Sequence, residues 1–479
     1  MAISTSRRII RIAAVVVFIA CYLSWCSPAA AISIKEEKRL ADELIQFLAR
    51  HYELIKDPMI VLYVNQVGQR LLSHMPPQPF HYHFYVVNEA TYNAFAIPAG
   101  HIFVNSGLLA AMESEDQLAG ILGHEIAHVT HRHISKRIGR NKKIQLATMA
   151  GIVAGIFLGA NTGDPAAMQS LTIGSAAAGQ TASLSYSRQD EAQSDQSGLQ
   201  YMSKAGYDPR ELLKILNIIR SKQWFGDEQI PTYMMTHPAL EERLVAVDTL
   251  TTVRAKQFKP RSPETDPGFK KIKIRLNALY GNPESALLEF RDALAKHPQE
   301  RDMAYGYGLA LARTGRYAEA VDYLKKALAR NLLDTVILVD LGRVYYLDGR
   351  YADALRTLQG SASMASATNP EGIFYLGRTQ QALNQLKEAA LSYEALIEAY
   401  PDYLKAYFFI GETYGKLERM PEAHYNLGLY HFKKRDYRTA RFHLQRARKS
   451  IRDARKLTVI REALETMGYS SKEKPRVTD

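Results

Sequence analysis

Cysteine is nearly absent: the 479-residue chain has two, Cys21 and Cys26, both within its first 31 residues. That excludes a disulfide framework for everything downstream, where stability has to come from packing and from any bound metal. Long apolar runs are also few. One covers residues 12–21 and another residues 144–160, and neither matches a full bilayer span of about 20 apolar residues. What remains is ordinary globular composition, 47% apolar and 23% charged, in a chain longer than one hydrophobic core usually supports. Two or more folded units are therefore expected.

The first run has the form of an export signal. Arg7, Arg8 and Arg11 precede it, and Ser27-Pro28-Ala29-Ala30-Ala31 follows, with the small residues that a signal peptidase requires. Its shortness and this ending favour cleavage after Ala31 over an uncleaved anchor, and Phe18 disfavours lipid attachment at Cys21. An exported chain without disulfides predicts a periplasmic location. Losing the three arginines lowers the formal charge from +12 to +9. So mild an excess is solvated surface rather than a nucleic-acid footprint, and it leaves open a peripheral contact with an anionic membrane.

Residues 34–75 show helical periodicity, ended by Pro76, Pro77 and Pro79. Residues 81–87 read as a strand and 94–105 as a second one interrupted by Pro98-Ala99-Gly100. Proline is tolerated mainly on an edge strand, so this pattern predicts an exposed edge. Helical signals resume at Ser106 and again from Ser187 to about Ala205. The segment 144–183 between them reads as a buried hairpin, a flap or a membrane-dipping stretch. From residue 286 the chain repeats itself: Ala286, Ala320, Ala354, Ala389 and Ala423 are spaced 34, 34, 35 and 34 apart, and Gly308, Gly342, Gly377 and Gly411 each precede the next alanine by twelve. A period of 34 with small residues where helices cross is the tetratricopeptide signature, which predicts a solenoid with a concave face. Gly428 and Ala440 keep the offset after half a period, so one helix is expected to serve two units. Tyr305, Tyr345, Tyr346, Tyr407 and Tyr414 are candidates to line the concave face, against a core role.

The division predicted is thus a signal peptide at 1–31, a catalytic domain at 32–253, a linker at 254–271, a repeat domain at 272–470 and a tail at 471–479. In the second segment His124-Glu125-Ile126-Ala127-His128 sets two imidazoles one helical turn apart with a carboxylate beside the first. Zinc held by such a pair keeps an open position for water, whose proton the glutamate can take. This pattern arises by chance in about 2–3% of chains of this length, so a third ligand has to be found. The metzincin spacing fails, because His131 and Ile134 stand where glycine and histidine are required. His131 and His133 read as exposed helix residues in a basic segment. Glu191 and Asp195, spaced i, i+4 after Ser187, can supply one ligand and one acceptor for a ligand imidazole.

These features together resemble the HtpX-like gluzincin zinc metallopeptidases, and within them an exported branch with C-terminal repeats. The resemblance rests on Asn93-Ala94-Phe95-Ala96-Ile97-Pro98-Ala99-Gly100, on the histidine motif with Arg132-His133 after it, on Ser187-Arg188 with Glu191 and Asp195, and on Thr236-His237-Pro238 with Arg243. Departures are Ala99, where relatives often carry glycine, and Ser194, where they usually carry alanine. It implies an α+β zincin-like domain followed by an all-α repeat solenoid. One zinc ion would be held by His124, His128 and Glu191, with Glu125 as general base and Asp195 and Arg243 supporting the ligands. His237, on a loop before proline, is expected either to donate to an oxyanion or to take zinc's fourth position and hold the enzyme latent. The substrates implied are unfolded or stalled envelope polypeptides in outer-membrane protein assembly, with the repeats recruiting client or machinery. The rival expectation is a chaperone or scaffold whose metal site is largely latent.

Overall fold

Ser33 starts the first helix with a capping box: its hydroxyl accepts from the Glu36 N–H while the Glu36 carboxylate accepts from the Ser33 N–H. The computed structural model describes residues 31–140, 186–224, 232–255, 267–329, 331–364 and 369–468. Residues 1–30 of the predicted signal, the predicted flap or membrane-dipping stretch at 144–183 and the predicted tail at 471–479 lie outside the described residues. Among the described residues no helix is long and apolar enough to cross a membrane. Two compact units divide the chain, one ending at Lys273 and one beginning at Ile274.

In the first unit, the helical run 34–75 is two helices, α1 (Ile34–His51) and α2 (Pro58–Leu72). Asp57 breaks it by accepting from the N–H groups of Met59 and Ile60, with Pro58 preset for the first turn. Three strands follow: β1 (His83–Val87), β2 (Ala94–Ile97) and β3 (His101–Asn105). β3 is central, parallel to β1 and antiparallel to β2. Pro98–Gly100 forms one 3-10 turn between β2 and β3, with Ala99 held at φ 64°. β2 is thus an edge strand, as Pro98 predicts, although all four of its residues are buried rather than exposed. Leu40, Leu44 and Leu48 of α1 pack on Val87, Phe95, Ile97 and Phe103 of the sheet.

The single helix predicted from Ser106 is also two, α3 (Ser106–Ala111) and α4 (Glu115–Thr130). Ser114 restarts it, its hydroxyl accepting from Gln117 N–H at 3.2 Å. α4 is buried on nearly every face, the mark of a helix in the centre of its unit. A left-handed Arg132 (φ 55°) then turns the chain into α5 (His133–Arg140). α6 (Arg188–Lys204) packs closely on α4 because the two helices meet at glycines: a methyl on Gly198 would lie 3.0 Å from His124 N, and one on Gly123 3.3 Å from Gly198 O. The unit is completed by α7 (Arg210–Trp224), α8 (Thr232–Thr236) and α9 (Leu240–Ala255).

α10 (Pro267–Tyr280) begins inside the segment predicted as linker, so residues 267–271 are helical. The reason is an apolar stripe, with Phe269, Ile272 and Leu276 all buried at 3% exposure or less, which the surrounding lysines mask in the sequence. The second unit continues as helix pairs: α11 (Pro283–Lys296), α12 (Arg301–Arg313), α13 (Tyr317–Leu328), α14 (Thr335–Leu347), α15 (Tyr351–Met364), α16 (Pro370–Ala382), α17 (Leu386–Ala399), α18 (Leu404–Lys416), α19 (Met420–Lys433), α20 (Tyr437–Ser450) and α21 (Ala454–Thr466). The repeat glycines mark the crossings: a methyl on Gly308, Gly342, Gly377, Gly411 or Gly428 would meet Leu324, Leu358, Tyr393, Leu427 or Leu444 at 2.9 Å or less. α19 does serve two groups, placing Ala423 in one core cluster and Leu429 in the next. Of the candidate concave tyrosines, Tyr305, Tyr345, Tyr407 and Tyr414 are core residues, at 5% exposure or less, and only Tyr346 is half-buried.

Candidate metal centre

Helical spacing puts His124 and His128 of α4 on one face, and their Nε2 atoms lie 2.9 Å apart. α6 brings Glu191 opposite them, its Oε2 3.5 Å from His124 Nε2 and its Oε1 3.4 Å from His128 Nε2. His237, just past α8, adds Nδ1 at 3.1 Å from Glu191 Oε1 and 3.3 Å from His124 Nε2. These four residues each offer one donor atom, all within 4.8 Å of one another and all buried. Two unprotonated imidazole nitrogens this close repel one another unless a proton or a cation lies between them, and a set of nitrogen and carboxylate donors suits a first-row divalent cation. The residues therefore fit a metal.

Behind the donors stands a second layer. Asp195 Oδ1 accepts from His124 Nδ1 at 2.8 Å, which leaves His124 Nε2 facing the centre. Arg243, on α9, holds Asp195 with both Nε (2.8 Å) and Nη2 (2.7 Å), and its Nη1 lies 2.8 Å from Glu191 Oε2. Burial alone would raise both carboxyls, yet His237 and Arg243 hold Glu191 well below the ordinary range, and Arg243 with His124 lowers Asp195. Burial and Arg243 push His124 down, but its hydrogen bonds to Asp195 and Glu191 outweigh them and raise it to about 9.

Glu125 differs from its neighbours. It is fully buried and neither of its oxygens makes a hydrogen bond, the nearest basic atom being His237 Nε2 at 3.4 Å. Burial raises its carboxyl above the ordinary value, the direction that suits a group exchanging protons near neutrality. His237 Nε2 also lies 3.3 Å from the Ala94 carbonyl of β2, so the histidine touches the edge strand, the glutamate and the donor set at once. A shallow depression beside His128 is lined by Ala96, Ile97, Pro98 and Ala99 of the same edge.

The structure thus brings together every site residue that the sequence singled out. It also adds four. Tyr233 stacks on His237 with ring centroids 4.4 Å apart, and Tyr186 stacks on His128 at 3.6 Å. Tyr233 was legible, being one helical turn before His237; nothing near Tyr186 marks it. His133 corrects an expectation: it is not an exposed residue of a basic helix but is 5% exposed, with Nδ1 3.0 Å from His128 Nδ1 and Nε2 3.0 Å from Gln193 Oε1. The left-handed turn at Arg132 folds it back under the motif. His131 is half-buried and bonds Ser197 at 2.8 Å.

Comparison with known proteins agrees with this geometry. Residues 62–251 match Peptidase family M48, and residues 281–334, 311–363 and 371–403 match tetratricopeptide repeats. A protein of Yersinia pestis named beta-barrel assembly-enhancing protease is 28% identical over 325 residues, 67% of this chain and 64% of that one. Its namesake in Escherichia coli (strain K12) is 29% identical over 323 residues, 67% of this chain and 63% of that one. The mitochondrial metalloendopeptidase OMA1 of Schizosaccharomyces pombe is 26% identical over 226 residues, 45% of this chain and 61% of that one. The matched region thus spans a little under two thirds of the length of each relative. The resemblance and the fold class read from the motifs are borne out: the chain carries a metallopeptidase domain of peptidase family M48 followed by tetratricopeptide repeats.

Proposed function

We propose that the chain is an exported zinc-dependent endopeptidase acting on unfolded or stalled envelope polypeptides. The observation that carries this reading is the meeting of His124, His128 and Glu191 beside a buried glutamate whose two oxygens have no hydrogen-bond partner. His124, His128 and Glu191 would hold the metal. Zinc, when bound, supplies Lewis acidity toward the scissile carbonyl at neutral pH. Glu125 takes the proton of the attacking water and passes it to the leaving amine, which its raised, unpartnered carboxyl suits. Asp195 and Arg243 fix the His124 ring and the Glu191 carboxylate. An extended peptide would add along β2, the edge strand whose Ala94 carbonyl meets His237 Nε2, so His237 would have to move aside, and main-chain pairing would give broad specificity.

The names of the relatives extend this to outer-membrane protein assembly, in the periplasm, with the repeat unit recruiting client or machinery. The export and location rest on the sequence of residues 1–31. A second reading, a chaperone or scaffold with a latent metal site, draws on His237. Its ring lies fully buried within the donor set, where it can complete the coordination and bar substrate; alternatively it donates to an oxyanion.

The test is metal content together with casein cleavage for the mature protein, Glu125→Gln and His237→Ala. About one zinc per chain, with cleavage lost in Glu125→Gln by about 10²-fold or more, is the expected result. Raised cleavage in His237→Ala marks latency, lost turnover with zinc retained marks an oxyanion role, and unchanged activity sinks both. Absence of zinc overturns the peptidase reading, and a Glu125→Gln variant that still corrects assembly defects in cells favours the chaperone.

A further inference from the structure

His124 and His128 are held from behind by different chemistry. His124 leans on a carboxylate, Asp195, whereas the outer nitrogen of His128 faces another imidazole. Proton accounting across that second contact is tightly constrained. A neutral His133 has one ring proton for two nitrogens. Its Nε2 faces two acceptors, Gln193 Oε1 at 3.0 Å and Asp190 Oδ1 at 3.6 Å, so the proton resides there. Its Nδ1 is then an acceptor, and the closest polar atom to it is His128 Nδ1 at 3.0 Å, with the Ser194 hydroxyl further off at 3.5 Å. His128 must therefore carry its proton on Nδ1, which leaves Nε2 bare, 2.9 Å from His124 Nε2 and 3.4 Å from Glu191 Oε1.

We infer that His133 and Gln193 form a neutral hydrogen-bond relay that fixes the tautomer of His128 and turns its Nε2 lone pair toward the metal. Reversing the Gln193 amide would reverse the whole chain: a donor facing His133 Nε2 places the proton on its Nδ1, makes His128 Nδ1 an acceptor and puts a proton where the metal would bind. Asp190, which also pairs with Arg137 at 3.6 Å, opposes that reversal, because it accepts only. The relay adds no negative charge beside the metal, unlike Asp195. His133 reaches this position through Arg132, whose left-handed backbone is held by Glu37, which accepts from Arg132 Nε at 2.6 Å, and by the Ile32 carbonyl, which accepts from its Nη2. His133 and Gln193 are positioning residues: neither reaches the reacting atoms, and both act through His128.

The inference rests on the assignment of His128 as a ligand, and the experiment separates the two. Zinc affinity of the full chain is measured by competition with a chromophoric chelator, with the melting of the metal-free protein as a control for folding. His133→Leu is expected to weaken zinc binding by about 10–100-fold, and Gln193→Met by about 3–10-fold. His133→Asn, whose amide oxygen can accept from His128 Nδ1, should restore affinity to within about threefold of wild type, and Gln193→Glu should show no loss. Ser194→Ala should change nothing. Wild-type affinity in His133→Leu overturns the relay, as does an equal loss in His133→Asn, which would show packing rather than hydrogen bonding. If His133→Leu fails to fold, the exposed Gln193 decides alone, and wild-type affinity in Gln193→Met overturns the relay. Wild-type affinity in His128→Ala would instead overturn the ligand assignment itself.

Discussion

Gly198 has no room for a side chain: a Cβ there would sit 3.0 Å from His124 N and 3.2 Å from the Gly123 carbonyl carbon, both backbone atoms that cannot swing aside. Gly198→Ala should therefore push α6 off α4, separating Glu191 from the two histidines. A destabilisation of about 1–3 kcal/mol is expected, with weakened zinc binding, measured by denaturant titration and chelator competition. Unchanged metal affinity would mean that the helices part without disturbing the donors. A different residue is expected to contribute to the acid sensitivity of the second unit. Burial lowers His443 to about 4, with His424 beside it at 2.8 Å adding to the effect, so the folded state binds fewer protons than the unfolded one below the ordinary imidazole value of about 6.5. Stability contributed by this group is fully present above that value and is lost as the pH falls toward 4. His443→Phe should flatten the dependence, and a midpoint that still falls equally between pH 6.5 and 4 would exonerate His443. At this scale the sequence shows a residue's type and helical phase and little else. The spacing of His124, His128, Glu191 and Asp195 was enough to single them out as candidates, because each lies on a regular helix, while the separate roles of Glu191 and Asp195 came from the family resemblance. His133 escaped because one left-handed residue, Arg132, resets the phase, and no residue type announces that.

Elements carry the repeat unit through polar as well as apolar contacts. Asp340 on α14 accepts from Tyr305 of α12 at 2.7 Å and pairs with Arg275 of α10, tying three successive first helices together in a buried network. Asp340→Ala leaves the Arg275 guanidinium, 4% exposed, without that carboxylate and should cost about 3–5 kcal/mol. Asp340→Asn, which keeps the shape and one acceptor, should cost less, and equal losses would show that charge is the whole effect. Denaturant unfolding followed by circular dichroism measures both. Periodicity revealed the helix pairs because alanine and glycine recur wherever two helices cross, but this network has no periodic trace: Arg275, Tyr305 and Asp340 are unlike residues at unlike offsets. The helix breaks at Asp57 and Ser114 were hidden for a related reason. Capping residues interrupt the chain without interrupting the apolar stripe, so residues 34–75 keep their phase across a real gap. The boundary of α10 was hidden by lysines covering a buried stripe.

For the molecule as a whole, the two units are expected to draw on different sources of stability. All four candidate donors lie in the first, and none in the second. A ligand that binds only the folded state stabilises by an amount set by its concentration over its dissociation constant, about 2.7 kcal/mol at a hundredfold excess. Zinc should therefore raise the melting of the first unit alone, and a chelator should lower it, while the second unit's transition stays fixed. Asp340→Ala should do the reverse, shifting the second transition and leaving the zinc-dependent one in place. Differential scanning calorimetry of the full chain with and without chelator, for wild type and Asp340→Ala, reads both effects at once. Two transitions that move independently would show that metal and repeats are energetically separate, so any influence of the repeat unit on cleavage would have to come from delivering polypeptide rather than from stabilising the centre. A single transition moved by both treatments would show the opposite, that occupancy of the metal centre is felt throughout the solenoid.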